Sequence, residues 1–158
     1  MFRAIRKKKN ALNLEATHAL LLSSRRGILA VNGDDGYPYA IPINYVYDKD
    51  AQKIYFHGAR TGHKVDALHA CNQVCFTVYG NETVKEEPWA PFVQSVVVFG
   101  RCHFVADGER ATMLLKKLAM KYYPNEQMVD AEIARAGKAA QIFEIEIEHL
   151  SGKEVQER

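Results

Sequence analysis

The segment Gly58-Ala59-Arg60-Thr61-Gly62-His63-Lys64 joins the end of an expected strand to the start of an expected helix. Free N–H groups at such a helix start, together with the helix dipole, favour an anion. Arg60, His63 and Lys64 add cationic donors and Thr61 adds a hydroxyl, so the segment could cradle a phosphate. It is not a Walker A loop, because Gly58 and Gly62 stand too close together and no Ser or Thr follows Lys64. Nor does it read GxGxxG. An ordinary strand-to-helix connection with charged residues on its surface accounts for the same sequence.

A second candidate is Tyr37-Pro38-Tyr39-Ala40-Ile41-Pro42-Ile43-Asn44-Tyr45. Successive N–H groups of a strand point to alternate edges, so Pro38, Pro42 and Asn44 share one. The two prolines remove two ladder donors from it. An edge that cannot be fully paired, bearing Asn44 near aromatic and aliphatic side chains, could receive a flat heterocycle. The same prolines also protect an edge strand from aggregation. A third set, His57, His63, His69, Cys71 and Cys75, invites a zinc reading. CxxC and HExxH are both absent, so no metal is expected. No GxSxG or kinase motif is present, and a cysteine nucleophile has no support.

The elements that must position these residues follow from periodicity. Residues 14–24 read as a helix with Asn13 as N-cap and a mixed stripe of Leu14, Thr17, His18, Leu21 and Leu22. Arg25-Arg26-Gly27 suits its end. A strand at 28–32 and the turn Gly33-Asp34-Asp35-Gly36 lead into a strictly alternating strand at 37–47. A turn at 48–52, a strand at 53–57, a helix at 64–71 and a strand at 74–79 follow. Next come a polar loop at 80–91 and a long strand at 92–105, bent or bulged at Gly100. Helices at 109–123 and 128–135 precede a last strand at 140–149, with Phe143, Ile145 and Ile147 inward and Glu144, Glu146 and Glu148 outward. Six strands, mostly hairpin-joined, with helices plugging the ends, predict a mainly β (α+β), antiparallel barrel-like fold.

The 158 residues suit a single domain with an adequate core. Composition, 47% hydrophobic and 25% charged, excludes collagen-like, low-complexity and wholly disordered chains. No apolar run approaches the roughly 18–20 residues of a membrane span, and the basic start lacks the apolar region of a secretory signal. The net charge of +2 is segregated: Arg3, Arg6, Lys7, Lys8 and Lys9 leave 16 basic against 19 acidic residues in the rest. Nucleic acid is therefore not the expected partner, since its binders spread positive charge across a folded face. Three cysteines, an odd and modest number, fit reduced thiols in a cytoplasmic protein.

The runs GDDGYPYAIPINYVYD, KIYFHGARTGHKVDAL, NQVCFTV and SVVVFGR, in this order, resemble the pyridoxamine 5′-phosphate oxidase-like FMN-binding split barrels. The branch they resemble most is that related to nitroimidazole-resistance proteins, over nearly the whole chain. The resemblance implies a six-stranded split barrel, and the chain is read as one such domain over 1–158, with the segregated charge as a basic leader at 1–10 and a tail at 154–158. It implies a homodimer that binds FMN across the subunit interface. Pro42, Ile43, Asn44 and Tyr45 would line the isoalloxazine, and His57 and Gly58 would lie beside the ring and ribityl chain. His63 and Lys64 would bind the phosphate, with Arg60 or Thr61 as helpers. Ser95 and Val96 would reach the other subunit's FMN. A histidine matching His57 has a role near the substrate in the nitroimidazole-reducing branch. The strongly basic substrate-phosphate signature of an authentic pyridoxamine phosphate oxidase is missing.

The expected function is an FMN-dependent oxidoreductase passing electrons from NAD(P)H to a small electrophile such as a nitroaromatic or quinone, with His57 or Tyr45 as proton donor. A non-catalytic flavin-binding or sensing module and a haem-binding split barrel are the alternatives. Trp89 and Phe92 could form an aromatic lid or pack at the dimer interface.

Overall fold

The computed structural model describes residues 1–85 and 90–156. Helix α1 (Leu14–Ser23) starts where Asn13 Oδ1 accepts the Ala16 N–H at 2.8 Å. Its buried face is Thr17, His18, Leu20 and Leu21, so Leu14 and Leu22, expected on the stripe, are exposed instead. The polar members of that face are satisfied. Thr17 donates to the Asn13 carbonyl, and His18 Nδ1 lies 2.8 Å from the Tyr47 hydroxyl.

Seven strands form one antiparallel sheet: β1 (Arg26–Asn32), β2 (Pro38–Asn44), β3 (Val46–Asp48), β4 (Lys53–Gly58), β5 (Gln73–Lys85), β6 (Ala90–Phe104) and β7 (Gln141–Gln156). Their order is β2-β1-β5-β6-β7-β4-β3. The first and last members of that order are consecutive in the chain. The run expected as one strand pairs with β1 up to Asn44, breaks at Tyr45, and then pairs with β4. The sheet thus curls round to a barrel that stays split between β2 and β4, with seven strands rather than six.

Inward residues of every strand form one core, including Leu29, Tyr45, Phe56, Phe76, Val98, Phe143 and Ile145. Leu20 and Leu21 of α1 and Val65 and Leu68 of α2 (His63–Ala70) join it, as end plugs should. Helices α3 (Gly108–Met120) and α4 (Glu126–Ala136) lie outside the barrel. Leu114 of α3 packs on the outer faces of β4 and β7 with Tyr55 and Ile142. That cover explains a departure from the expected alternation: outward-pointing Glu144 is buried. Burial alone would raise its pKa, but hydrogen bonds from Lys53 (2.6 Å) and Arg110 outweigh burial and hold it low.

Two further expectations change. The polar stretch 80–91 is in large part strand, since Thr83 pairs with Phe92 and Val84 with Pro91; Trp89, weighed as lid or interface, lies outside the described residues. The last strand continues to Gln156 and takes in most of the tail. The bulge does fall at Gly100, where the β6–β7 register shifts. In the basic leader, the Phe2 ring stacks on Phe99 and His149 at 5.5 and 4.9 Å.

His18 carries a pH prediction. Gln52 donates to the Tyr47 oxygen (3.3 Å), which directs the Tyr47 proton to Nδ1 of a neutral imidazole. Burial, and secondarily Lys49, lowers the His18 pKa. A histidine whose folded value is depressed adds stability that is complete above its unfolded value of about 6.5 and is lost as pH falls toward the folded value. The urea midpoint is expected to drop between pH 7.5 and 5.5, and His18→Gln to remove part of that slope. An unchanged slope in the variant would count against this role.

Candidate functional site

The split opens at a definite pair of residues. The β3–β4 register sets Val46 opposite Tyr55 and Tyr47 opposite Ile54. Continued by two steps it would set Asn44 opposite His57, but Asn44 pairs with Arg26 of β1 instead. The next even position, Pro42, has no N–H to donate, so the ladder toward β4 could not resume there. Asn44 and His57 therefore face each other across the mouth of the split and line one cavity of about 200 Å³. Its other wall comes from Leu115 and Leu118 of α3, Tyr122 beyond it, and Ile133 of α4.

The free edge expected from the prolines is present. The Gly33 N–H donates to the Tyr37 carbonyl at 2.9 Å, and the β1–β2 register continues in phase from that bond. In an antiparallel ladder, alternate residues direct both main-chain groups at the partner. Tyr39, Ile41 and Ile43 thus face β1. The main-chain groups of Pro38, Ala40, Pro42 and Asn44 face the split, where only Ala40 and Asn44 retain donors.

The proposed cradle closes the other end. Gly62 adopts φ +120° ahead of α2, and its carbonyl accepts the Val65 and Asp66 N–H groups at 2.8 and 3.1 Å. The N–H groups of His63 and Lys64 come earlier in the first turn, where a helix offers no internal acceptor. The Lys64 ammonium turns back over the rings of Phe56 and Phe143, at 5.3 and 5.1 Å. It lies so close to Gly58 that a Cβ there would sit 2.6 Å from Nζ. Burial lowers its pKa, and among the described residues no carboxylate pairs with it. Next to it, His57 lines the cavity while remaining exposed overall; partial burial of its ring, and then the Lys64 charge, lowers its pKa too.

Other expected residues have different duties. The Arg60 guanidinium donates to the Lys138 and Ala140 carbonyls (3.1 and 3.3 Å), stapling the turn to the α4–β7 connection. Thr61 is exposed. The His63 ring stacks on Tyr39 at 4.2 Å with Nε2 3.4 Å from Asp34 Oδ2, which ties the cradle to the β1–β2 turn. Pro42 is exposed at the free edge, whereas Ile43 points into the core.

Tyr45 leaves the set of proton donors. It is fully buried, its hydroxyl donates to the Leu21 carbonyl at 2.6 Å, and burial raises its pKa. Cys102 is equally inert, with burial pushing its thiol up to about 12.

Ser95 and Val96 are not brought to this site within one chain. Ser95 pairs with Lys153, eleven residues along β7 from Ile142, the partner of His57. At about 3.3 Å per residue that is roughly 35 Å along the strand. The Val96 side chain is buried in the core, so it has only main-chain groups to offer outside.

Sequence reasoning missed the helical wall and Tyr122 in particular. Its hydroxyl accepts the Tyr45 N–H at 2.8 Å and lies 2.5 Å from the Arg25 carbonyl. Among the described residues no helix is long and apolar enough to cross a membrane, and no group of three His, Cys, Asp or Glu side chains converges as a metal site.

The chain is similar to several known proteins. The family described as pyridoxamine 5′-phosphate oxidase matches residues 13–154. No curated protein matches the sequence. A proposed 5-nitroimidazole antibiotic resistance protein of Bacteroides thetaiotaomicron superposes with a TM-score of 0.78 at 17% identity, over 92% of this chain and 87% of that one. An FAD-binding protein of Mesorhizobium loti gives 0.63 at 23% identity, over 92% and 96%. A flavocytochrome of Azotobacter vinelandii gives 0.71 at 17% identity, over 96% and 72%. At such identities these likenesses are of fold.

Proposed function

Because the chain belongs to the pyridoxamine 5′-phosphate oxidase family, matched over residues 13–154, we propose that it binds FMN and passes electrons from a reduced nicotinamide to a small electrophile, such as a nitroaromatic or a quinone. The observation that carries this reading is the geometry of the split. A free main-chain edge ends at Asn44 opposite His57, and at Gly58, the residue after His57, lies an ammonium with no carboxylate partner among the described residues. The flat ring would lie along the Ala40–Asn44 edge, with Asn44 and the edge amides as its hydrogen-bonding partners. The phosphate would meet Lys64 and the first N–H groups of α2. A terminal phosphate suits a half-buried lysine backed by two rings, and this favours FMN over a longer dinucleotide.

Gly58 fits the same picture, since any side chain there would displace the Lys64 ammonium. When bound, the flavin supplies the redox chemistry. His57, with its lowered pKa, is neutral near pH 7 and offers one ring N–H and one ring acceptor beside the cavity. Leu115 and Leu118 of α3 and Ile133 of α4 would pack against a small flat substrate. Ser95, far from the cradle in its own chain, would enter the site of a second copy in a two-fold dimer.

The test is a visible spectrum taken on protein whose native mass is measured in the same run. Flavin bands on a particle of about twice the chain mass are expected. Protein that stays colourless after incubation with FMN overturns the reading. A Soret band with no flavin released on denaturation would replace it by a haem protein. Bound FMN without NAD(P)H oxidation above background would reduce it to a binding module.

A further inference from the structure

The chain changes partner at Tyr45, and the register shows what stands in the way of continuing. By the β1–β2 pairing, Arg25 and Tyr45 would be the next directly bonded pair after Gly27 and Ile43. The Tyr122 hydroxyl occupies that place. It accepts the Tyr45 N–H at 2.8 Å and lies 2.8 Å from the Tyr45 carbonyl and 2.5 Å from the Arg25 carbonyl. Its single proton serves one of these carbonyls, so none is left for a ligand. A hydroxyl set between two main chains keeps them farther apart than the ~2.9 Å of a direct N–H···O bond. It also satisfies groups that would otherwise be orphaned where β2 and β3 part company.

Neighbouring contacts hold the tyrosine in place. The Arg25 guanidinium lies 5.2 Å over its ring, and Lys121 donates to the Ser24 carbonyl at 2.6 Å. The end of α3 is thereby pinned to the α1–β1 connection on one side and to the split on the other.

We propose that Tyr122 is a positioning residue: its hydroxyl wedges Tyr45 away from Arg25, ends the β1–β2 ladder at Asn44 and so fixes where the split opens, which places Asn44 and His57 for the flavin. The proposal rests on the FMN reading for its functional half. The wedge itself is a property of the free chain.

The experiment uses 15N-labelled protein without flavin, as wild type, Tyr122→Phe and Tyr47→Phe, followed by FMN titration of each. Tyr47→Phe deletes another hydrogen-bonded tyrosine hydroxyl, the partner of His18, without touching the split. Tyr122→Phe is expected to shift the Asn44 and His57 resonances, to speed Tyr45 amide exchange at least tenfold, and to weaken FMN binding about tenfold. Tyr47→Phe is expected to leave Asn44, His57 and FMN affinity as in the wild type. The proposal is overturned if Tyr122→Phe leaves Asn44 and His57 unmoved, or if Tyr47→Phe moves them as far. Should the wild type bind no FMN, the functional reading falls, while the flavin-free resonances still decide on the wedge. Should Tyr122→Phe not fold, Tyr122→Gln, which can bond both main chains, supports the wedge by keeping the wild-type resonances and opposes it by losing them.

Discussion

Replacing Lys64 by methionine is expected to give a folded protein that holds FMN much more weakly. The ammonium sits over Phe56 and Phe143 at 5.3 and 5.1 Å, and burial lowers its pKa. A half-buried cation with no carboxylate partner among the described residues costs the fold something, whereas a thioether packs well against aromatic rings. The melting temperature should therefore hold or rise. The lost hydrogen bond to a charged phosphate is worth roughly 1.5–3 kcal/mol, which weakens binding about 10- to 100-fold. Flavin fluorescence titration beside a thermal melt separates the two effects.

A second variant reaches the same ammonium without removing its charge. Alanine at Gly58 places a Cβ 2.6 Å from Nζ, and the flexible end of Lys64 is what must give way. Gly58→Ala is expected to melt like the wild type and to bind FMN several-fold more weakly, by loss of part of one charge-assisted hydrogen bond. Wild-type affinity in Lys64→Met would remove Lys64 from the phosphate site and with it the main support for where the flavin lies.

Local chemistry explains which parts of this site could be read in advance. Proline lacks a donor wherever it stands, so Pro38 and Pro42 announced a free edge, and the structure has one. The glycines and cations of the 58–64 turn likewise announced an uncapped helix start, found at His63. What stayed hidden depends on distant partners. Arg60 counts as a cation in the sequence, yet its guanidinium serves carbonyls 78 and 80 residues away. The break at Tyr45 needs Tyr122, 77 residues on. Glu144 obeys the alternation that points it outward, and is buried only because α3 lies over that face with Arg110. The hairpin extension through Thr83 and Val84 was masked by polar residues, which suit a ladder exposed on its outer faces as well as they suit a loop.

Gly27 was readable as a glycine with a purpose, but for the wrong reason, and its replacement should have a large effect on stability. The sequence places it where a helix ends. The structure places it inside β1, buried and paired with Ile43. It has no side chain because the fully buried Phe76 ring fills the space: an added Cβ would overlap Phe76 Cζ, sit 2.5 Å from Cε2 and lie 2.9 Å from the Thr77 carbonyl. The ring cannot swing away, since it meets Tyr45 edge-on at 4.8 Å and Tyr45 is itself anchored to Leu21. Overpacking a close-packed core costs about 1–3 kcal/mol, and with backbone on one side Gly27→Ala belongs at the upper end. For a chain of this size about 3 kcal/mol lowers the melting temperature by roughly 6–12 °C. Phe76→Leu is destabilising on its own because it leaves a void, but it makes room for the methyl. The double variant should therefore be more stable than the sum of the single losses predicts, by about 0.5–3 kcal/mol of coupling. A Gly27→Ala protein melting within about 2 °C of the wild type, less than the shift expected for 1 kcal/mol, would mean that β1 and β5 part easily at this level, and that the Phe76–Tyr45 contact does not hold the core wall behind the split.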